Sequence, residues 1–344
     1  MVKGLRKSLI LSCVLALFLP SVASADMNVS RIAGANRYET AMKVQQKYQV
    51  QNRNEVVISS GHDFRTALYA SYMANVLRIP FYVIPNTGLS RVMLNEFSKS
   101  NTKKVYIIGN YNNLNRSIDN SIKSLGIQTK RISDTYVKPG EVTHIYPISD
   151  KIEEELSNRL PLNPDSGLIL VNEDKFPDLI SSIPLISQYR KNFGSSINDL
   201  RYLGHSLEDP QIIIGGPSSV PYINNSYVER ISGQNRYKTA VEIAKKCVFL
   251  GNTSITEERE NGSSHEIVFN KIDTVVLVDG TNYPDALASG TVATMNNGVI
   301  LLTEPGKLNE DTKAFIQENN IQNVIIVGGE KSVSKNVENE LRGL

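Results

Sequence analysis

An eleven-residue segment occurs twice in the chain, and this repeat constrains the fold more than any other feature of the sequence. Residues 31–41 (RIAGANRYETA) recur as residues 230–240 (RISGQNRYKTA), 199 positions further along. A third, degenerate start lies half-way between them at Arg131-Ile132-Ser133. A fixed period indicates one structural unit used several times. We therefore predict repeat units at 31–130, 131–229 and 230–344, the last lengthened by a polar insert near 253–264.

Within each unit the hydrophobic pattern alternates between helix and strand periods. In the third unit, Ala240, Ile243, Ala244 and Cys247 are three or four residues apart, which is the spacing of one helix face. The aliphatic runs that follow, such as 274–278, are short and unbroken, as expected for strands covered on both faces of a parallel sheet. The pattern predicts an α/β fold of three tandem, small, doubly wound parallel-sheet domains.

The first 25 residues have the organisation of a secretory signal peptide. Three basic residues precede an apolar run at 9–19, and Ala23-Ser24-Ala25 has the small-x-small form of a cleavage site. The run is short for a permanent membrane helix, and 26–344 contain no second apolar stretch of about 18 residues. We therefore predict a signal peptide at 1–25 and a secreted protein, located at the cell wall or cell surface, without a transmembrane segment after cleavage.

The charge balance bears on the choice of partner. The sequence has 37 Lys and Arg against 35 Asp and Glu, a net charge of +2, and removal of the three basic residues of the signal peptide leaves 34 against 35. Dedicated nucleic-acid-binding proteins usually have a pronounced basic excess. We therefore expect no nucleic-acid partner. Any anionic partner must be held by a few directed basic groups rather than by an overall field.

The repeat and the motifs that follow it resemble the clostridial cell-wall-binding repeat family (type 2). In unit three the resemblance is carried by the start at 230–240, the turn Tyr283-Pro284-Asp285-Ala286-Leu287-Ala288, the strand Ile300-Leu301-Leu302 and the strand 324–329 followed by Ser332-Val333-Ser334. It implies three repeats around a pseudo-three-fold axis. It also implies non-covalent anchoring to an anionic polysaccharide of the Gram-positive wall, often in S-layer-associated proteins, and a binding role for the Ile-Leu-Leu strand.

Units one and two depart from this pattern. Unit one has Phe64-Arg65-Thr66-Ala67-Leu68 where the turn expects an aspartate, and unit two keeps Phe176-Pro177-Asp178 but lacks the Gly-x-Asn-Arg-Tyr start. We therefore expect unit two to be a degenerate copy, either a binding unit or a spacer. The repeats occupy all but five residues of the predicted mature chain, so we expect any activity to lie within them.

The candidate polymer-binding residues each have two interpretations. Arg37 and Arg236 can hold phosphate or carboxylate by paired hydrogen bonds, or bridge adjacent units through backbone carbonyls. Tyr283 follows a strand and can stack on a sugar or fill the space between units. Asp285 is a candidate acid, although in the first turn of a helix it is expected to contact free N–H groups. Ile300, Leu301 and Leu302 have the character of a core strand, so their truncation is expected to act through the fold.

Two further features concern phosphate binding and catalysis. Gly215-Gly216 and Gly328-Gly329 lie between a strand and a helix, where they can hold a phosphate or simply permit a tight turn. The four histidines lack zinc-ligand spacing, the sequence has no nucleophile elbow or dinucleotide-binding motif, and Cys247 is predicted to be a buried structural thiol.

These observations predict a non-enzymatic protein without metal or cofactor. Its expected partner is an anionic cell-wall glycopolymer, with S-layer proteins as a second class of partner. Two alternatives remain open at this point: an amidase-like, wall-remodelling hydrolase with an unrecognised site, and a structural S-layer component that binds other proteins.

Overall fold

The computed structural model describes most of the chain after the predicted signal peptide. The described residues are 27–48, 50, 52–136, 145–162, 167–199, 210–221, 228–258, 264–268 and 270–344. The predicted signal peptide, His144, His205 and part of the predicted insert, 259–263, lie outside them.

Strands and helices alternate along the chain, as the hydrophobic periods predict. The first third contains β1 (Asn28–Ile32), α1 (Arg37–Tyr48), β2 (Glu55–Ser60), α2 (Phe64–Leu77), β3 (Phe81–Ile84), α3 (Arg91–Lys99), β4 (Lys104–Ile108), α4 (Arg116–Lys123) and β5 (Gln128–Ile132). The second contains β6 (Thr135–Tyr136), β7 (Ile145–Tyr146), α5 (Ile148–Ser157), β8 (Leu168–Val171), α6 (Phe176–Phe193), β9 (Ser196–Asp199), β10 (Pro210–Ile214) and β11 (Glu229–Ile231). The third contains α7 (Arg236–Gly251), β12 (Ser254–Glu258), β13 (Ser264–Val268), β14 (Thr274–Asp279), a 3-10 helix (Ala286–Ala288), α8 (Ser289–Met295), β15 (Val299–Thr303), α9 (Glu310–Glu318), β16 (Asn323–Val327) and α10 (Lys335–Arg342).

Three four-stranded parallel sheets form the body of the protein. Their strand orders are β3-β2-β4-β5, β9-β8-β10-β11 and β15-β14-β16-β1. The inner strands β2, β4, β8, β14 and β16 are almost entirely buried because helices cover both faces of each sheet. β12 lies within the predicted insert and β13 begins at its last residue, Ser264, and the two strands pair antiparallel. Among the described residues, no helix is long and apolar enough to cross a membrane.

Each sheet receives an outer strand from the start of the next repeat. β5 ends in Arg131-Ile132 and pairs with β4, and β11 ends in Arg230-Ile231 and pairs with β10. The equivalent strand of the first repeat, β1, pairs with β16 near the other end of the chain, from Asn28 opposite Asn323 to Ile32 opposite Val327. The three sheets are thereby linked in a ring. The unit boundaries drawn from the repeat remain a sequence-based prediction.

The central helices α2, α6 and α8 pack against one another around a pseudo-three-fold axis, one from each unit. The first helix of each unit contacts the central helix of its neighbour: α5 packs on α2, α7 on α6, and α1 on α8 and the 3-10 helix. Gly290 allows the closest approach, because a Cβ there would lie 2.6 Å from Ser71 Oγ and 2.9 Å from Ile183 Cγ2. The predicted α/β fold with three packed parallel sheets is confirmed.

A buried polar cluster joins units one and two. Arg190 on α6 is 1% exposed and donates to Glu153 on α5 over 2.9 Å, while the Tyr72 hydroxyl on α2 donates to the same carboxylate over 2.6 Å. Arg190 also donates to the carbonyl of Leu160 over 2.6 Å. Because the charge is paired and hydrogen-bonded, the cluster fixes the relative position of three helices at a tolerable desolvation cost.

Candidate functional site

Three aromatic side chains meet on the axis, where the middle strands of the three sheets end. Phe64, Phe176 and Tyr283 follow β2, β8 and β14, and their ring centroids lie 6.0, 5.3 and 6.2 Å apart in the three pairs. The Tyr283 hydroxyl donates to the carbonyl of His62 over 3.2 Å. Tyr283 therefore fills the space between units, as one of its two interpretations predicts. Its half-buried ring lies at the carboxyl edge, where ligands of open α/β sheets bind.

Arg37 and Arg236 occupy equivalent positions at the first turns of α1 and α7. Arg37 Nη1 donates to the carbonyl of Gly61, and Arg236 Nη1 donates to that of Gly280 over 2.7 Å. Both carbonyls belong to the arginine's own unit, so these bonds attach a helix to a strand end and do not bridge adjacent units. The glycines are required because a Cβ at Gly280 would lie 2.7 Å from the Tyr237 ring.

The two arginines lie at boundaries between units. The Arg37 guanidinium carbon is 5.8 Å from the ring centroid of Tyr283, which belongs to unit three. Burial raises the pKa of Asp178 in unit two, and the charge of nearby Arg236 offsets part of this rise. Within the described part of the chain neither arginine forms an ion pair. Since a guanidinium carries five N–H donors, each has donors available to a ligand.

Asp285 connects two loops at the same edge. Its Oδ2 accepts from the Ser332 hydroxyl over 2.6 Å and from the Gly329 N–H over 3.4 Å. The predicted interaction with free N–H groups of its own helix is wrong, because Asp285 makes no side-chain cap of the 3-10 helix. It contacts the loop after β16 instead, and its carboxylate occupies the position where the glycine pair was considered as a phosphate site.

The other units carry the same aspartate contact. In unit two, Asp178 accepts from the Ser219 hydroxyl over 3.4 Å. In unit one, where the motif has no aspartate, Asp63 caps α2 and accepts from Thr66 Oγ1 over 2.6 Å and from Asn113 Nδ2 over 3.0 Å. The apparent loss in unit one is therefore compensated by a carboxylate from a different sequence position.

The Ile-Leu-Leu strand lies in the interior. Ile300, Leu301 and Leu302 on β15 are 1%, 0% and 0% exposed and belong to the main hydrophobic core. Because these side chains are almost completely buried, they support the site indirectly, by holding β15 in place against α6 and α7. Contact between the polymer and the seven candidate residues stays a prediction.

The arginine that opens each repeat has a structural role that the sequence pattern alone did not reveal. Arg31, Arg131 and Arg230 each donate through Nη1 to the carbonyl of the glycine that ends the neighbouring strand, over 2.8, 2.7 and 2.8 Å. The N–H groups of those glycines donate to the carbonyls of the isoleucines that follow the arginines, Ile32, Ile132 and Ile231, over 2.9, 2.8 and 3.0 Å. The glycines are Gly328, Gly109 and Gly215, with φ of 130°, 127° and 114°. The Arg-Ile pair at the start of all three repeats is the sequence signal that points to this role.

Two of these arginines are held by a carboxylate as well. Arg31 Nη2 lies 3.0 Å from Glu338 on α10, and Arg131 pairs with Asp119 on α4. Arg230 instead donates to the carbonyl of Val220 over 3.1 Å. These buried contacts attach the outer strand of each sheet and use the guanidinium internally, so these arginines are structural.

The catalytic candidates give no assembled site in the described residues. There, no three His, Cys, Asp or Glu side chains are grouped so as to hold a metal ion. Cys247 is 2% exposed, and burial raises the pKa of its thiol to about 12. His62 is exposed, with Nε2 3.0 Å from the Tyr38 hydroxyl.

Comparison with known proteins adds a family and a fold. The family model described as Cell wall binding domain 2 (CWB2) matches residues 31–119 and 230–338. The chain is similar to N-acetylmuramoyl-L-alanine amidase LytC of Bacillus subtilis strain 168, with 26% identity over 337 residues, 95% of this chain and 60% of that protein. It is 25% identical to the amidase enhancer of the same organism over 317 residues, 90% of this chain and 40% of the relative. The chain thus spans about half the length of these relatives.

Two solved structures share the fold. Cwp6 from Clostridium difficile has a TM-score of 0.69 at 17% identity, covering 92% of this chain and 48% of its own. Cwp8 from Clostridium difficile has a TM-score of 0.66 at 16% identity, covering 92% of this chain and 51% of its own. At these identities the likeness concerns the fold alone.

Proposed function

The chain belongs to the Cell wall binding domain 2 (CWB2) family, and we propose that it is a secreted, non-enzymatic protein that holds an anionic glycopolymer of the cell wall. The observation that carries this proposal is the placement of Arg37 and Arg236 at the carboxyl edge, each at a boundary between units. A guanidinium with unused donors recognises phosphate or carboxylate by paired hydrogen bonds.

The two boundaries marked by these arginines are the proposed binding grooves. The third boundary, between units one and two, differs because Arg65 of unit one is already paired there with acidic residues of unit two. Its Nη1 lies 3.0 Å from Asp174 and 3.9 Å from Glu173. We therefore propose that units one and three supply the arginines that bind polymer in these grooves, and that unit two, which lacks the Gly-x-Asn-Arg-Tyr start, supplies none. Two weak sites on one chain can together give firm retention on a repetitive polymer.

A charge-matched substitution tests the role of the arginines. Arg236→Lys keeps the charge and removes the paired donors, so we expect it to weaken sedimentation with isolated walls several-fold, and Arg37→Lys together with Arg236→Lys to weaken it more than tenfold. Arg65→Lys, on the same edge but ion-paired, is the matched control and should bind like the parent. Unchanged binding with a lowered melting temperature would leave these arginines a purely structural role.

The chemistry of the partner is tested on the wall itself. Mild acid treatment removes phosphate-linked polymers from walls, and we expect binding to be lost with them. Sedimentation that survives this treatment contradicts polymer binding and favours a protein partner such as an S-layer component. The names of the relatives raise amidase activity as the alternative, which a fall in turbidity of a wall suspension incubated with the purified protein would reveal.

A further inference from the structure

A polar cavity lies at the end of the axis opposite to the aromatic cluster. Its volume is about 570 Å³, within the range of small-ligand sites. The C-terminal halves of the three central helices and the residues after them line it, so each unit contributes one wall. The lining residues include Asn75 and Arg78 at the end of α2, Ser187, Gln188 and Lys191 on α6, and Asn296 and Asn297 after α8. The close packing at Gly290 occurs midway along these helices.

Two basic side chains border this cavity, and no described residue beside them supplies a counter-charge. Arg78 follows α2 and Lys191 lies in the last turn of α6, and both remain accessible to solvent. Among the described lining residues there is no carboxylate, and neither side chain has an ion pair within the described chain. Partial burial lowers the pKa of Lys191, and the charge of Arg78 lowers it further. The two groups are thus close enough to repel each other, and an anion between them would relieve that repulsion.

Helix ends explain only part of this arrangement. A basic residue at the C-terminal end of a helix interacts favourably with the helix dipole, which accounts for Arg78 directly after α2 and for Lys191 in the last turn of α6. It does not account for Ser187, which is one of the residues that line the same cavity. Ser187 is 3% exposed, and its Oγ has no hydrogen-bond partner in the described part of the molecule. A buried hydroxyl without a partner is costly, so an anion in the adjoining cavity that accepted from this donor would be stabilising.

We propose that the cavity is an oxyanion-binding site that takes a phosphate group, with Arg78, Lys191 and the Ser187 hydroxyl as donors. The amide side chains around it, among them Gln188 and Asn192, suit the hydroxyl groups of an attached sugar. The inference rests on the proposed function only for the source of the phosphate, which the wall polymer supplies. The site is separate from the grooves of Arg37 and Arg236, because it lies at the opposite ends of the central helices.

Calorimetric titration of the full chain with inorganic phosphate tests the site. We expect saturable binding, a dissociation constant at least tenfold higher for Lys191→Met and about threefold higher for Ser187→Ala, and retention within threefold for Lys191→Arg. Lys99→Met is the matched control, since Lys99 is an exposed, unpaired lysine in the last turn of another helix in the described structure. Absence of saturable binding, or equal affinity of Lys191→Met and the parent at equal melting temperature, overturns the inference.

A second titration, with polymer released from walls, separates this inference from the proposed function. Weaker polymer binding by Lys191→Met shows that the polymer supplies the phosphate. Phosphate binding without wall binding by the parent contradicts the proposed function and leaves the anion site standing. Wall binding without any phosphate binding overturns the anion site and leaves the proposed function standing.

Discussion

The substitution Glu338→Gln tests how the ring is closed. Glu338 on α10 is 5% exposed and accepts from Arg31 on β1 over 3.0 Å, so its charge helps to hold the first strand against the last sheet. Hydrogen bonds from Lys335 and from Arg342 and Arg31 lower the pKa of this carboxyl to about 2. Glutamine has nearly the same shape but no charge, so the exchange isolates the electrostatic contribution.

The magnitude follows from the pKa. A fall from 4.5 to about 2 corresponds to at most about 3–4 kcal/mol, since each pKa unit is worth ~1.4 kcal/mol. Lys335 and Arg342 are 59% and 50% exposed, so solvent screens their share of the interaction. We therefore expect Glu338→Gln to lower the free energy of unfolding by about 1–2 kcal/mol at pH 7.

The pH dependence has a definite sign. Because the folded-state pKa is depressed, the contribution of Glu338 is complete above pH 4.5 and is lost as the pH falls through about 2. Glutamine does not titrate, so the difference in stability between the parent and Glu338→Gln should shrink steadily over that interval.

Urea unfolding at a series of pH values measures this difference, and hydrogen exchange of the Gly328 amide, which donates to Ile32, reports on the closure itself. Glu318→Gln, an exposed and unpaired carboxylate on α9 of the described structure, is the matched control. A stability difference that is zero at pH 7, or one that stays constant down to pH 2, would refute the reasoning.

Three other substitutions or reagents probe the core. Leu301→Ala should lower the free energy of unfolding by about 2–5 kcal/mol, because the side chain is fully buried. Wall binding per folded molecule should be unchanged, and a loss of binding with intact stability would indicate a direct contact instead. Gly290→Ala should lower the free energy of unfolding by about 1–3 kcal/mol, because the added Cβ overpacks the central helices. Gly306→Ala is the control and should leave thermal unfolding unchanged, because a Cβ there meets nothing within 4 Å. Cys247, with its pKa raised to about 12 by burial, should react with a thiol reagent only on unfolding; rapid labelling of the folded protein would contradict its burial.

The sequence predicted the class of fold because its signals are local. Unbroken aliphatic runs such as 274–278 indicate buried strands wherever they pair, and the repeat shows that one arrangement is used again. The partner of β1 was not predictable in this way. Its residues indicate a strand with a buried side, but they do not indicate that its pairing partner, β16, lies almost 300 positions away.

The candidate site was predictable to a smaller extent. The turn motif drew attention to Asp285, but its hydrogen bonds with Gly329 and Ser332 depend on a loop from another part of the unit. The replacement of the motif aspartate by Asp63 in unit one likewise depends on geometry that an alignment does not contain. The cavity of Arg78 and Lys191 had no sequence signal, because its walls come from three different units.

The pairing of β1 with β16 sets a limit on copy number. In an open array of repeats the terminal units lack a neighbour and need special capping units. Here the next repeat completes each of the first two sheets, and β1 completes the last, so three copies saturate the assembly. A fourth copy joined to the ring would find an outer strand already beside each of β4, β10 and β16, unless it displaced β1. Avidity for a wall can therefore increase only through changes within the existing grooves or through additional complete rings.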